Sequence, residues 1–213
     1  MPRVCACECG HIDLNGKNFD SKMEVAMLKK VLFIQGAGDG AHKEDAKLAE
    51  SLRHALGDGY EVRYPAMPND GDASYADLAR WLGTELRAIG GPVVLVGHSV
   101  GGAVALKWLS ENPGKHRVQG AFILAAPFWG GAGWRYDGYQ QLELAPEHAR
   151  ALADQLPVFL YHCADDETVP ADHLVLYQTL LPKAQASRQP AGGHQFTNDL
   201  SRIARDINTQ THG

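Results

Sequence analysis

From position 31 onward, short apolar runs closed by Gly or Pro alternate with longer amphipathic stretches. This alternation constrains the fold more than any other feature of the chain. Strands separated by helices cannot pair as hairpins and must cross over into a parallel sheet. The apolar runs predict strands over 31–35, 61–64, 92–97, 118–125 and 158–163, with a weaker one over 185–189. The stretches between and after them predict helices over 43–56, 74–89, 101–110, 146–156, 171–181 and 198–207. Six strand-then-helix units specify an α/β class: one doubly wound domain whose mostly parallel six-stranded sheet carries helices on both faces. At 213 residues the chain can bury roughly 70% of its unfolded surface, so a single core suffices without disulfides.

Residues 1–28 are polar and aperiodic and read as a flexible tail, leaving 29–213 as the domain. Cys5, Cys7, Cys9 and His11 are potential soft ligands. Their one-residue spacing suits a tetrahedral metal poorly, since such sites favour Cys-x2–4-Cys pairs, so no metal site is assigned. Cys163 stands apart, and the pattern is not a disulfide framework; a reducing, cytoplasmic compartment is the expectation. The start of the chain lacks the apolar core of a secretory signal. The apolar stretches near 93–96 and 121–129 fall short of the ~20 residues that span a bilayer, so no membrane association is expected. With 20 Lys plus Arg against 25 Asp plus Glu, the net charge of −5 and the absence of a basic run argue against a nucleic-acid partner.

The most specific local feature is Gly97-His98-Ser99-Val100-Gly101-Gly102, placed between the apolar run 93–96 and a helical stretch. A sharp strand-to-helix turn pushes the Ser hydroxyl outward, and glycines on either side remove the side chains that would collide there. Ser99 is therefore the candidate nucleophile. A serine hydroxyl needs a general base, and the base needs a carboxylate to orient it. Both types follow in the chain: an acidic loop, Asp165-Asp166-Glu167, after the strand at 158–163, and His194 on the Gly192-Gly193 loop after the last strand. His98, inside the turn, reads as a buried hydrogen-bonded support, and Cys163 as a small buried thiol. His42, His54, His116, His148 and His173 show no ligand spacing and read as solvated.

Over roughly 31–207 the chain resembles the α/β-hydrolase superfamily, and within it the small, largely lidless serine hydrolases. The resemblance rests on Gly-His-Ser-Val-Gly-Gly, on Asp166-x-x-Val169-Pro170 and on Gly-Gly-His194, in the order Ser, Asp, His. It implies a truncated version of that fold, with Asp166 as the triad acid, His194 as the base and no cofactor. It also implies an oxyanion hole formed by the backbone N–H groups of Val100 and Ala37, although Gln35-Gly36 stands where the family commonly has His-Gly. The expected activity is hydrolysis of a small or medium carboxylic ester through an acyl-enzyme. The same groups would serve a thioesterase or amidase, and the rival from another class is a non-catalytic binding module on the same fold. Between 126 and 157 there is no room for a cap domain. The aromatic loop there offers Trp129, Trp134 and Tyr136 either as substrate-pocket lining or as cover for exposed core.

Overall fold

The structure is a computed structural model that describes residues 28–115, 117–130 and 140–212. Residues 1–27 of the proposed tail, with its cysteines, lie outside the described residues. Six strands, β1 (Lys29–Ile34), β2 (Tyr60–Arg63), β3 (Val93–His98), β4 (Val118–Leu124), β5 (Val158–Cys163) and β6 (Gln185–Gln189), form one sheet in the order β2-β1-β3-β4-β5-β6. Every neighbouring pair is parallel. Helices α1 (Ala41–Leu56), α2 (Tyr75–Ile89), α3 (Val100–Glu111), α4 (Pro146–Gln155), α5 (Asp172–Leu180) and α6 (Ser201–His212) supply the crossovers and the final layer.

Because a strand's side chains alternate between faces, the apolar runs divide cleanly between two layers. Val31, Phe33, Val94, Val96, Phe122 and Leu124 face α1 and α6, where they meet Leu48, Leu52, Ile203 and Ile207. Leu32, Ile34, Leu95, Ala121, Ile123 and Leu160 face the opposite way, onto Leu82, Leu86, Leu106 and Leu152 of α2, α3 and α4. Burial on both faces explains why β3 reads as an uninterrupted apolar run. The edge strand β6, with the sequence Gln-Ala-Ser-Arg-Gln, is only partly buried, which is why its signal is weak. Among the described residues no helix is long and apolar enough to cross a membrane.

Helix starts follow local chemistry. Ser74 accepts the Asp77 amide at 3.2 Å and caps α2, and Gly90, at φ +67°, ends it. The last helix begins three residues later than the periodicity predicts. Phe196, Thr197 and Asn198 instead form a left-handed turn with φ of 50°, 49° and 56°, and Asp199 accepts the Ser201 amide at 2.9 Å where α6 starts.

Chain order steps from β1 outward to β2 and then back across β1 to β3. Such a reversal leaves a crevice at the carboxyl ends of the two central strands, the usual ligand position in open α/β sheets. Helix α3 enters that crevice at very close range. A Cβ on Gly101 would lie 2.1 Å from the Gln35 carbonyl oxygen and 2.6 Å from that of Ile34. Gly101→Ala is therefore expected to cost about 3 kcal/mol or more, because the clash is with backbone that cannot turn aside. Gly59→Ala, where nothing lies within 4 Å of the added methyl, should be neutral or stabilising by up to about 1 kcal/mol. Urea midpoints of the two variants check the contrast.

Candidate active site

Ser99 sits between β3 and α3 at φ 51°, ψ −127°, a backbone conformation that L-residues rarely adopt. Three contacts hold it there. Its amide donates to the Leu124 carbonyl of β4 at 2.8 Å, and its carbonyl accepts the Gly102 and Ala103 amides at 3.0 and 3.3 Å. Gly97 and Gly102 then lie so close that a Cβ on Gly97 would be 2.7 Å from the Gly102 Cα. Val100 is the first residue of α3, so its N–H has no partner inside the helix and points from the positive end of the helix dipole.

Across the crevice, Gly36 follows β1, and a Cβ there would stand 3.2 Å from the Ser99 Cβ. Ala37 comes next. Gln35, fully buried, holds the segment 67–70 beside this loop. Its Oε1 accepts the Met67 amide at 3.1 Å and its Nε2 donates to Asp70 at 3.5 Å. Asp70 in turn accepts the Gly38 amide on its carbonyl at 3.0 Å and the Gly40 amide on its carboxylate at 3.2 Å. Gln35 thus supplies side-chain support for the loop at the position where the resemblance leads one to expect His.

The structure brings Asp166 and His194 together: His194 Nδ1 lies 2.9 Å from Asp166 Oδ2. The other carboxylate oxygen accepts the Thr168 and Val169 amides, both at 2.9 Å. Asp165 does a different job, accepting the Gly192 and Gly193 amides at 3.2 and 2.9 Å and so bracing the turn that carries His194. Burial would push the Asp166 carboxyl up. Hydrogen bonds from His162, His194 and the Val169 amide overcome that and hold it well below the ordinary carboxylate range. For His194, burial lowers the imidazole; the Asp166 bond opposes this and the charge of His98 adds to it, leaving a net lowering.

Three polar residues of this site escape a reading of the sequence. Asp45 of α1 is 2% exposed, and its carboxylate accepts from Gly36 N at 2.7 Å, from His98 Nδ1 at 2.8 Å and from Gln195 Nε2 at 3.1 Å. His162, buried near the end of β5, places Nε2 at 3.2 Å from Asp166 Oδ2 and at 2.9 Å from the Val169 carbonyl. Gln195 adjoins His194. The one sequence trace was Asp45's position, four residues after Ala41 and three before Leu48, within the apolar stripe of α1.

His173 corrects the expectation of a solvated residue. It is 5% exposed and its Nδ1 accepts the Phe128 amide at 2.7 Å, because α5 must satisfy the backbone that leaves β4 toward the interior. Tyr177 of α5 donates to the Pro127 carbonyl at 2.8 Å beside it. Trp129 is 5% exposed and belongs to the apolar layer of α2, α3 and α4. Trp134, Tyr136 and His116 lie outside the described residues. Cys163 is fully buried, and burial with the nearby Asp165 and Asp166 pushes its thiol up to about 11, which leaves it unreactive. Among the described residues no group of three or more His, Cys, Asp or Glu is arranged to hold a metal ion.

Residues 31–207 match the model of the "Alpha/beta hydrolase family". No curated protein matches the chain in sequence. Solved structures with a similar fold include Est1E from Butyrivibrio proteoclasticus, at 13% identity and TM-score 0.66, over 88% of this chain and 90% of that one. The meta-cleavage product hydrolase from Pseudomonas fluorescens IP01 aligns at 16% identity and TM-score 0.68, over 86% and 90%. The esterase domain of a Rhodothermus marinus protein aligns at 17% identity and TM-score 0.61, over 88% of each chain.

The role of Gln35 is open to direct measurement. Gln35→Leu keeps the volume but leaves the Met67 amide without its acceptor, so a loss of about 1–3 kcal/mol is expected. It should appear as a lower urea midpoint at unchanged slope.

Proposed function

We propose, from the premise that this chain belongs to the alpha/beta hydrolase family, that it is a serine hydrolase cleaving a small or medium carboxylic ester. The observation that carries the reading is the left-handed Ser99 turn on the same sheet edge as a His194–Asp166 pair whose Nδ1 is already engaged. Donation from Nδ1 to Asp166 leaves the Nε2 lone pair as the basic site. In the proposed reaction His194 Nε2 takes the Ser99 hydroxyl proton as Oγ attacks the ester carbonyl carbon. The N–H groups of Ala37 and Val100 receive the developing oxyanion. His194 then returns the proton to the leaving alkoxyl as the C–O bond breaks; water, deprotonated by His194, attacks the acyl carbon, and as the bond to Ser99 Oγ breaks His194 passes that proton back to Oγ and the acid leaves. Residues, water and ester supply every atom and proton of this cycle. Ester rather than thioester or amide is favoured because one structural neighbour is an esterase domain. The short connection between β4 and α4 has no room for a folded cap, which favours short acyl chains.

A fluorophosphonate probe separates this reading from a binding module, since only an activated serine reacts quickly. The unaltered protein is expected to label and to hydrolyse p-nitrophenyl acetate, and Ser99→Ala to do neither while keeping its circular dichroism. Turnover by the alanine variant at a comparable rate would remove Ser99 as the nucleophile. Asp166→Asn should lose about 10⁴ in kcat through the wrong His194 tautomer, whereas Asp165→Asn, which only weakens the Gly192-Gly193 turn, should lose far less. The base must be neutral to act, and the His194 imidazole is held below its ordinary range. The acid limb of kcat/KM is therefore expected below about pH 6.5, with activity lost as pH falls through that limb.

A further inference from the structure

Asp45 and His98 are buried ionisable groups that the proposed proton transfers do not use. They touch the loop that leads to Ala37, adjoin the Ser99 turn and hold the loop of His194. His98 places Nδ1 at 2.8 Å from Asp45 Oδ2 and Nε2 at 3.0 Å from the backbone carbonyl oxygen of His194. A carbonyl oxygen can only accept, and so can an ionised carboxylate. A neutral imidazole has one N–H and would turn a lone pair toward one of these oxygens; an imidazolium satisfies both. Donors converge on Asp45 from two sides: the Gly36 amide and His98 on Oδ2, and Gln195 on Oδ1.

We propose that Asp45 and His98 form a charged clamp, an aspartate–imidazolium pair that positions the general base and the oxyanion loop together on the nucleophile turn; this rests on the serine-hydrolase reading above. The clamp joins loops that the sheet alone does not fix to one another. Gly36 leaves β1 toward Ala37, His98 ends β3 next to Ser99, and His194-Gln195 follow β6. The His194 loop needs such a restraint because it leads into three consecutive non-glycine residues with left-handed φ, a conformation that persists only where surrounding contacts over-determine it. Buried Phe196 anchors the far side of that turn, and the clamp anchors the near side.

The pair also sets the charge beside the base. The rings of His98 and His194 are 4.7 Å apart. The ionisable groups facing them are Asp45 from α1 and Asp166 from the loop after β5, the latter backed by His162, with Tyr64 and Asp70 beyond Asp45. A cation at His98 disfavours a second positive charge on His194. Burial would push the His98 imidazole down, and Asp45 more than reverses this, which agrees with the donor geometry.

The test begins with the unaltered protein. Long-range proton–nitrogen spectra should show one histidine that keeps both ring nitrogens protonated from pH 6 up to pH 9, and that signal should vanish in His98→Gln. A His98 carrying a single ring proton at pH 7 overturns the clamp whatever the variants do. Asp45→Asn leaves one acceptor oxygen where donors converge from two sides. If it is folded by circular dichroism, it is expected to lose about 10²-fold in kcat on a short ester with KM within about threefold. His98→Gln removes the cation but keeps Asp45, and should move the acid limb of kcat/KM upward by roughly one pH unit. A merely structural role would lower stability and leave that limb in place. Folded variants with the parent's kcat and acid limb overturn the inference while fluorophosphonate labelling of the parent still stands. An unlabelled parent overturns the hydrolase reading itself, and the positioning role with it.

Discussion

A carboxylate buried to 2% exposure is the interaction around which this site is built. Withdrawing an anion from water costs several kcal/mol, about what a domain of this size can lose before its fold is at risk, so Asp45 is tolerable only with its donors in place. Those donors are the Gly36 amide two residues after β1, the last side chain of β3 and a side chain from the loop after β6. Removing any of them strands a buried charge. The cost of desolvation therefore becomes a restraint on loop geometry, and helix α1 serves as the post to which the loops are tied.

The second constraint is steric. A parallel sheet brings the carboxyl ends of β1, β3, β5 and β6 to one edge, but an outward-facing serine there needs a backbone turn that L-residues resist. The chain meets this by stripping side chains from the surroundings. Gly97, Gly101 and Gly102 let α3 approach β1 and β3 within distances that any Cβ would block, and the Ser99 amide is tied to β4. Close packing and the left-handed residue are two aspects of one arrangement. The tight helix–strand contact fixes the turn, and the turn starts the helix with its amides toward the crevice.

Asp166 is managed differently from Asp45. Two backbone amides of its own loop and His162 beneath it hold the carboxylate ionised, and its remaining contact is to His194. Asp165, next in sequence, accepts from the Gly192-Gly193 turn. Adjacent aspartates thus stabilise different parts of one loop pair, one the imidazole and the other the backbone beneath it. The same economy appears at Gln35, whose amide both accepts and donates to hold the 67–70 segment against the loop of Ala37.

What the sequence determined by itself was whatever burial or backbone sterics write locally. Strands buried on both faces need continuous apolar residues, so the order of elements, the parallel sheet and the two core layers were legible. A turn that admits no Cβ needs glycine, so Ser99 was legible between Gly97 and Gly101, and the short motifs around Asp166 and His194 marked the other loops. Only the tertiary structure decided Asp45, His162, Gln195 and the function of Gln35. The partners of Asp45, Gln195 and Gln35 lie across loops, 53 residues away for Asp45 to His98 and 150 for Asp45 to Gln195, and a hydrogen bond between distant residues imposes no period on either segment, while His162 meets Asp166 and Val169 only four and seven residues on, a pairing that leaves no mark in an apolar strand. Edge position blurred β6, and a left-handed turn held from outside displaced the start of α6. The physical reason is common to all of these: apolar burial and steric exclusion act on every residue of an element and leave a pattern, whereas a buried polar contact acts on two atoms and exists only once the fold has brought them together.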